Sequence, residues 1–217
     1  MTDLFGNDIP VVDLNNFLEM NSKELHFMVD IETLDVLNTA AITEIGAVIV
    51  LQPEDRRINR YFHSDCIDPR GTVSEETIQW RNEKELSWIT WDRTIKEEDL
   101  EMNPKHIKNV MRDFFAWIED TCKLAGATPV MWCKGTDFDK VIIERAAKNR
   151  CGIEKMPWAY SKFFDVRTLL FLFPQFKVPK ESVMHNGFDD AIQQAMQLIQ
   201  IAKHVSELRT VVKEWGL

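Results

Sequence analysis

The chain has 217 residues, of which 45% are hydrophobic and 28% charged, the makeup of a globular domain able to bury a full core. Its net charge of −9 at pH 7 excludes a protein whose main task is to coat nucleic acid, but leaves a nuclease open, because bound metal ions reset the charge of such a site. No apolar run reaches the ~20 residues of a membrane span, the N-terminus lacks a basic segment before an apolar core, and the four cysteines form no C-x-x-C pair, so a cytoplasmic protein with reduced thiols is expected.

Residues 1–25 carry Pro10 and few periodic apolar positions, and they are expected to form an N-terminal arm with a short helix around Asp13–Met20. A single domain is expected over residues 26–217. His26–Thr33 is predicted as the first strand and Ile42–Leu51 as the second, with Ile58–Ser64 as the third after a polar turn at Pro53–Arg57. Short turns between these strands imply antiparallel pairing and a mixed sheet. Residues 84–103 read as an irregular insertion, preceded by a helix start at Ser74-Glu75-Glu76-Thr77.

Pro104 is expected to open a long helix that Gly126 ends. Its apolar residues Ile107, Val110, Met111, Phe114, Phe115, Ile118 and Cys122 recur at three- and four-residue spacing. Pro129–Cys133 reads as a short buried strand, Phe138–Asn149 as a helix, and Phe163–Val166 as a fifth strand leading into a helix over Arg167–Phe173. A helix over Gly187–Ala202 and a further one over Ser206–Trp215 complete the chain. This order implies an α/β domain with a mixed central sheet flanked by helices.

Three acidic segments carry the chemistry. In Phe27-Met28-Val29-Asp30-Ile31-Glu32-Thr33 an apolar strand ends in two acids at alternate positions, so Asp30 and Glu32 project from one face. Burying both is costly without positive charge, and the run contains no Arg or Lys. Hard divalent cations suit such oxygen donors, although Asp-x-Glu alone is more often the mark of a strand ending in a solvated turn. The second segment, Trp132-Cys133-Lys134-Gly135-Thr136-Asp137-Phe138-Asp139, lies where a buried strand turns into a helix, the place where ligands gather in α/β sheets. Asp137 or Thr136 suffices as the helix cap, which leaves Asp139 for another role. The third, His185-Asn186-Gly187-Phe188-Asp189-Asp190, puts a histidine in a loop and an aspartate one turn inside a helix. Four carboxylates can hold two Mg²⁺ or Mn²⁺ ions roughly 3.5–4 Å apart, and a histidine titrating near neutrality suits a general base.

With these three motifs in this order the sequence resembles the DEDD superfamily of 3′→5′ exonucleases, in its histidine-containing branch (DEDDh), whose members share a ribonuclease H-like fold. Glu76-Thr77-Ile78-Gln79-Trp80, Trp132-Cys133-Lys134-Gly135 and Asp165-Val166-Arg167-Thr168 resemble the bacteriophage exonuclease A group in particular. The resemblance spans about residues 27–202. Gly187, where alanine is common, and the additional Asp137 depart from the pattern without removing a ligand or the base.

The resemblance implies a five-stranded mixed sheet and a two-metal exonuclease that releases nucleoside 5′-monophosphates from single-stranded DNA, with Mg²⁺ or Mn²⁺ as cofactor. Asp30 would bridge both ions, Glu32 and Asp190 would complete the first site, and Asp139 would hold the second. His185 would deprotonate the attacking water. Thr33 and Leu34 would touch the terminal nucleotide, Trp80 and Phe138 would offer stacking surfaces, and Arg167 and Lys134 would meet phosphate. A 3′→5′ exoribonuclease of the same fold is the runner-up, and a non-catalytic nucleic-acid-binding module the rival from another class.

Overall fold

A computed structural model describes residues 23–50, 59–86, 101–178 and 185–214, with side chains in the last helix to residue 207. The chain builds one sheet: β1 (Glu24–Thr33), β2 (Ile42–Ile49), β3 (Tyr61–Asp65), β4 (Thr128–Cys133) and β5 (Phe163–Asp165), arranged β3-β2-β1-β4-β5. β1–β2 and β2–β3 pair antiparallel, β1–β4 and β4–β5 parallel, so the mixed five-stranded sheet expected from the sequence is the one formed. The helices are α1 (Glu75–Glu83), α2 (Ile107–Ala125), α3 (Asp139–Cys151), α4 (Val166–Leu172) and α5 (Gly187–Glu214).

Alternation along β1 feeds two cores. Phe27, Val29 and Ile31 join Ile107, Phe114, Ile118, Ile142 and Ala146 beneath α2 and α3. Met28 joins Val166, Leu170, Ala191, Ala195 and Leu198 beneath α4 and α5. Among the described residues no helix is long and apolar enough to cross a membrane.

The element boundaries moved for local reasons. β3 is Tyr61–Asp65 where Ile58–Ser64 was expected: its register with β2 runs from Glu44↔Asp65 to Val48↔Tyr61, and Ile58 lies outside the described residues. α2 starts at Ile107 rather than Pro104: His106 has extended backbone and its ring accepts from the Lys108 N–H. α4 starts one residue early because Asp165 caps it, accepting from the Arg167 N–H and the Thr168 hydroxyl, and it stops before Phe173 because Pro174 follows. The two C-terminal helices expected are one continuous helix, since Lys203-His204-Val205 contains no breaker. The arm's short helix, the turn at 53–57 and residues 87–100 of the insertion lie outside the described residues.

One buried ion pair ties the loops below the sheet. Asp68 accepts from the Ile42 N–H at 3.1 Å and pairs with Arg150 at 3.3 Å. Arg150 also donates to the carbonyls of Thr39 and Ala40.

Candidate active site

β1 delivers two acids to the face that Met28 occupies, because Asp30 and Glu32 continue its alternation and look towards α5. α5 brings Asp190 to the same place, and one ligand atom from each of Asp30, Glu32 and Asp190 lies within 4.8 Å of the others. Gln194, one helical turn after Asp190, donates from Nε2 to Asp30 Oδ1 at 2.7 Å.

The helix comes this close because of glycines. A Cβ on Gly46 of β2 would stand 2.3 Å from the Gly187 carbonyl carbon and the Phe188 nitrogen, and a Cβ on Gly187 would stand 3.2 Å from the Asp30 carbonyl oxygen. Glycine at 187 therefore relieves a contact with β1. The α5 N-terminus is held by Asn186, whose Oδ1 accepts from the Asp189 N–H, and by Glu44, which accepts from the Phe188 N–H at 3.2 Å and pairs with His63 at 3.0 Å.

Asp139 arrives from the other side of the sheet. β1 and β4 pair only as far as Met28 and Trp132. Beyond that point the strands part, and the Ile31 N–H donates to the Asp139 carboxylate instead of to a strand carbonyl. The turn into α3 is made by Gly135 at φ +136°, whose carbonyl accepts from the Phe138 and Asp139 N–H groups. No side chain caps α3, so neither Asp137 nor Thr136 fills the capping role expected of them. A backbone carbonyl already does that work.

The acids are crowded, and their titration shows it. Burial, and then the charges of Asp139, Glu32 and Asp190, push Asp30 well above the usual carboxylate range, against the Gln194 hydrogen bond. Burial raises Asp139 to about 7, partly offset by hydrogen bonds from Ile31, its own N–H and Cys133, and by the nearby Arg167. Glu32 is also raised by burial, against the pull of Arg81. Like charges packed out of water in an all-oxygen donor set are the surroundings a hard divalent cation fits.

Arg81 supplies the positive charge that the sequence around Glu32 lacked. It reaches in from α1, 49 residues away, and its Nη1 donates to Glu32 Oε2 at 2.7 Å with 2% of the side chain exposed. It is the one buried residue of α1.

His185 stands at φ +51°, a left-handed conformation that costs a histidine on the order of 1 kcal/mol. Its ring meets the edge of Trp80 at 5.0 Å, and Trp80 is 38% exposed. Arg167, exposed, lies over Gly135 and donates to the half-buried Lys134's carbonyl at 2.7 Å. Phe138 is half-buried against the core beneath α2 and α3. Thr33 and Leu34 are buried: the Thr33 hydroxyl donates to the Asp35 carbonyl, and Leu34 spends its backbone groups on Ala41 and Ser74.

A family model, the 3′-5′ exoribonuclease Rv2179c-like domain, matches residues 25–202. The chain belongs to that family. It is a 3′-5′ exonuclease domain of the DEDDh superfamily, with the ribonuclease H-like fold expected of it. No curated protein matches the chain. Sequence reasoning missed four residues of this candidate site: Arg81, Gln194, Glu44 and Gly46. Gln194 had a signal, a polar residue four after Asp190 on a face otherwise made of Ala191, Ala195 and Leu198.

Proposed function

We propose that this exonuclease removes nucleoside 5′-monophosphates from the 3′ end of single-stranded nucleic acid, using two divalent cations, Mg²⁺ or Mn²⁺. The observation that carries the reading is the convergence of Asp30, Glu32 and Asp190 oxygens within 4.8 Å, with Asp139 at the parting of β1 and β4 beside them. Asp30, Glu32 and Asp190 would hold one cation, and Asp30 with Asp139 the second. Bound cations of this kind lower the pKa of water and offset charge on the leaving oxygen.

The chain's own residues do the rest. Asp30 is fixed by Gln194, so its oxygens are aimed before substrate arrives. His185 takes the proton of the attacking water, and its placement at the mouth of α5 beside Trp80 lets it approach from the solvent side. Exposed Trp80 is a stacking surface for a base, and Arg167 meets a phosphate near Asp139.

We take single-stranded DNA as the preferred substrate, as the segments resembling bacteriophage exonuclease A suggest. RNA is the second reading, favoured by the family's description as an exoribonuclease domain. The test uses 5′-labelled DNA and RNA oligonucleotides with Mg²⁺ or Mn²⁺. Stepwise shortening of DNA, lost in Asp30→Ala, is expected. Faster shortening of RNA would replace DNA with RNA, and no cleavage of either would leave a binding module.

A further inference from the structure

The residue of the site with no assigned task is Arg81. A helix normally docks through an apolar stripe, yet α1 buries Arg81 alone and does so directly against Glu32. Arginine stays charged when buried, so this is a permanent cation inside a cluster of acids. Glu32 faces Glu44 across the β1–β2 pair and has Asp30 and Asp190 beside it. Glu44 is engaged by His63 and the Phe188 N–H. Arg81 occupies Oε2 of Glu32, which leaves the other carboxylate oxygen to face a metal ion.

Resting on the two-cation reading above, we propose that Arg81 is a resident counter-cation of the metal centre: it restricts Glu32 to one oxygen and weakens cation binding, and in exchange it cancels the acidic charge that two divalent cations leave when the site is full. Two divalent cations offset Asp30, Glu32, Asp139 and Asp190, and Arg81 offsets the further buried acid, Glu44, so the full site presents no net negative charge to an incoming phosphodiester anion. The same residue docks α1 and thereby sets Trp80, its neighbour in sequence, against His185. Arg81 is a positioning residue, since it acts through Glu32 and Trp80.

The experiment is a Mn²⁺ titration of wild type, Arg81→Met and Arg81→Lys, followed by thermal melting and by the paramagnetic signal of free Mn²⁺, with kcat and KM measured alongside. Arg81→Met should bind Mn²⁺ about tenfold more tightly, because a repelling charge a few ångströms away is gone. Its kcat/KM should nevertheless fall. Arg81→Lys should bind Mn²⁺ within about twofold of wild type and recover part of the lost activity. Equal or weaker Mn²⁺ binding by Arg81→Met would overturn the inference, as would tenfold tighter binding by Arg81→Lys, which decides the matter alone should Arg81→Met fail to fold. Failure of wild type to bind Mn²⁺ would instead remove the two-cation reading itself.

Discussion

Among the described residues two arginine–carboxylate pairs are buried, and they are built for different ends. Arg150 and Asp68 balance one charge with one charge: Asp68 has the Ile42 N–H and Gly71 as further partners, and Arg150 Nη1 also donates to the Thr39 and Ala40 carbonyls. Around Arg81 and Glu32 the acids outnumber the cation, with Asp30, Asp190 and Glu44 all raising the tension. Both places join a buried arginine to a buried carboxylate. What separates a fastening from a site is whether local charge balances, and an excess of buried negative charge waits for something from outside.

The comparison breaks if the two pairs respond alike to mutation. Asp30→Asn should lower kcat/KM on the order of 10³-fold, because several kcal/mol of transition-state charge stabilisation depends on that carboxylate. Its melting temperature without metal should not fall, since a buried, repelled charge is removed. Asp68→Ala should do the reverse: about 3–5 kcal/mol of stability lost as Arg150 is left buried and unmatched, with normal kcat in the folded fraction, measured by urea unfolding and active-site titration. His185→Ala should cost roughly 10²–10⁴-fold in kcat while leaving the Mn²⁺-induced rise in melting temperature intact.

A pH series sharpens the contrast. Asp139 is held at about 7 in the fold against an ordinary value near 3.8, so its raised pKa favours the folded state while the carboxyl is protonated. That contribution is complete below about pH 4 and is lost as pH rises to about 7, a few kcal/mol in metal-free protein. Saturating Mn²⁺ should flatten this slope and leave the smaller one from Asp68, whose pKa burial also raises. A slope untouched by Mn²⁺ would mean that Asp139 takes no part in cation binding. The smallest effect is expected of Gly46→Ala, about 1–3 kcal/mol of overpacking, read as a drop in melting temperature with weakened Mn²⁺ binding as Asp190 is pushed from β1.

What could be read from the sequence was whatever is encoded by period. The stripe of α2 and the alternation of β1 report their neighbours within one turn or one pleat, and Asp30 and Glu32 duly share a face. β3 was placed less well because it is an edge strand with a half-exposed pattern, so its apolar signal is faint. Arg81 was out of reach for a different reason. Its partner is 49 residues away, and α1 has no apolar stripe to show which side faces inward. Gly46 was equally silent, since a close approach between β2 and α5 leaves no mark in either segment alone.

The parting of β1 and β4 after Met28 and Trp132 has a spectroscopic consequence. At Ile31 a sheet amide is hydrogen-bonded to an ionisable side chain, so its proton resonance is a reporter placed inside the site by the backbone itself. Titrating Asp139 or drawing its oxygens towards a cation would move that cross-peak together with the amide of Asp139 itself, while Phe27 and Met28, paired on both flanks, would stay where they are. The domain thus carries an isotope-readable gauge of its own charge state, requiring no dye, no substrate and no turnover.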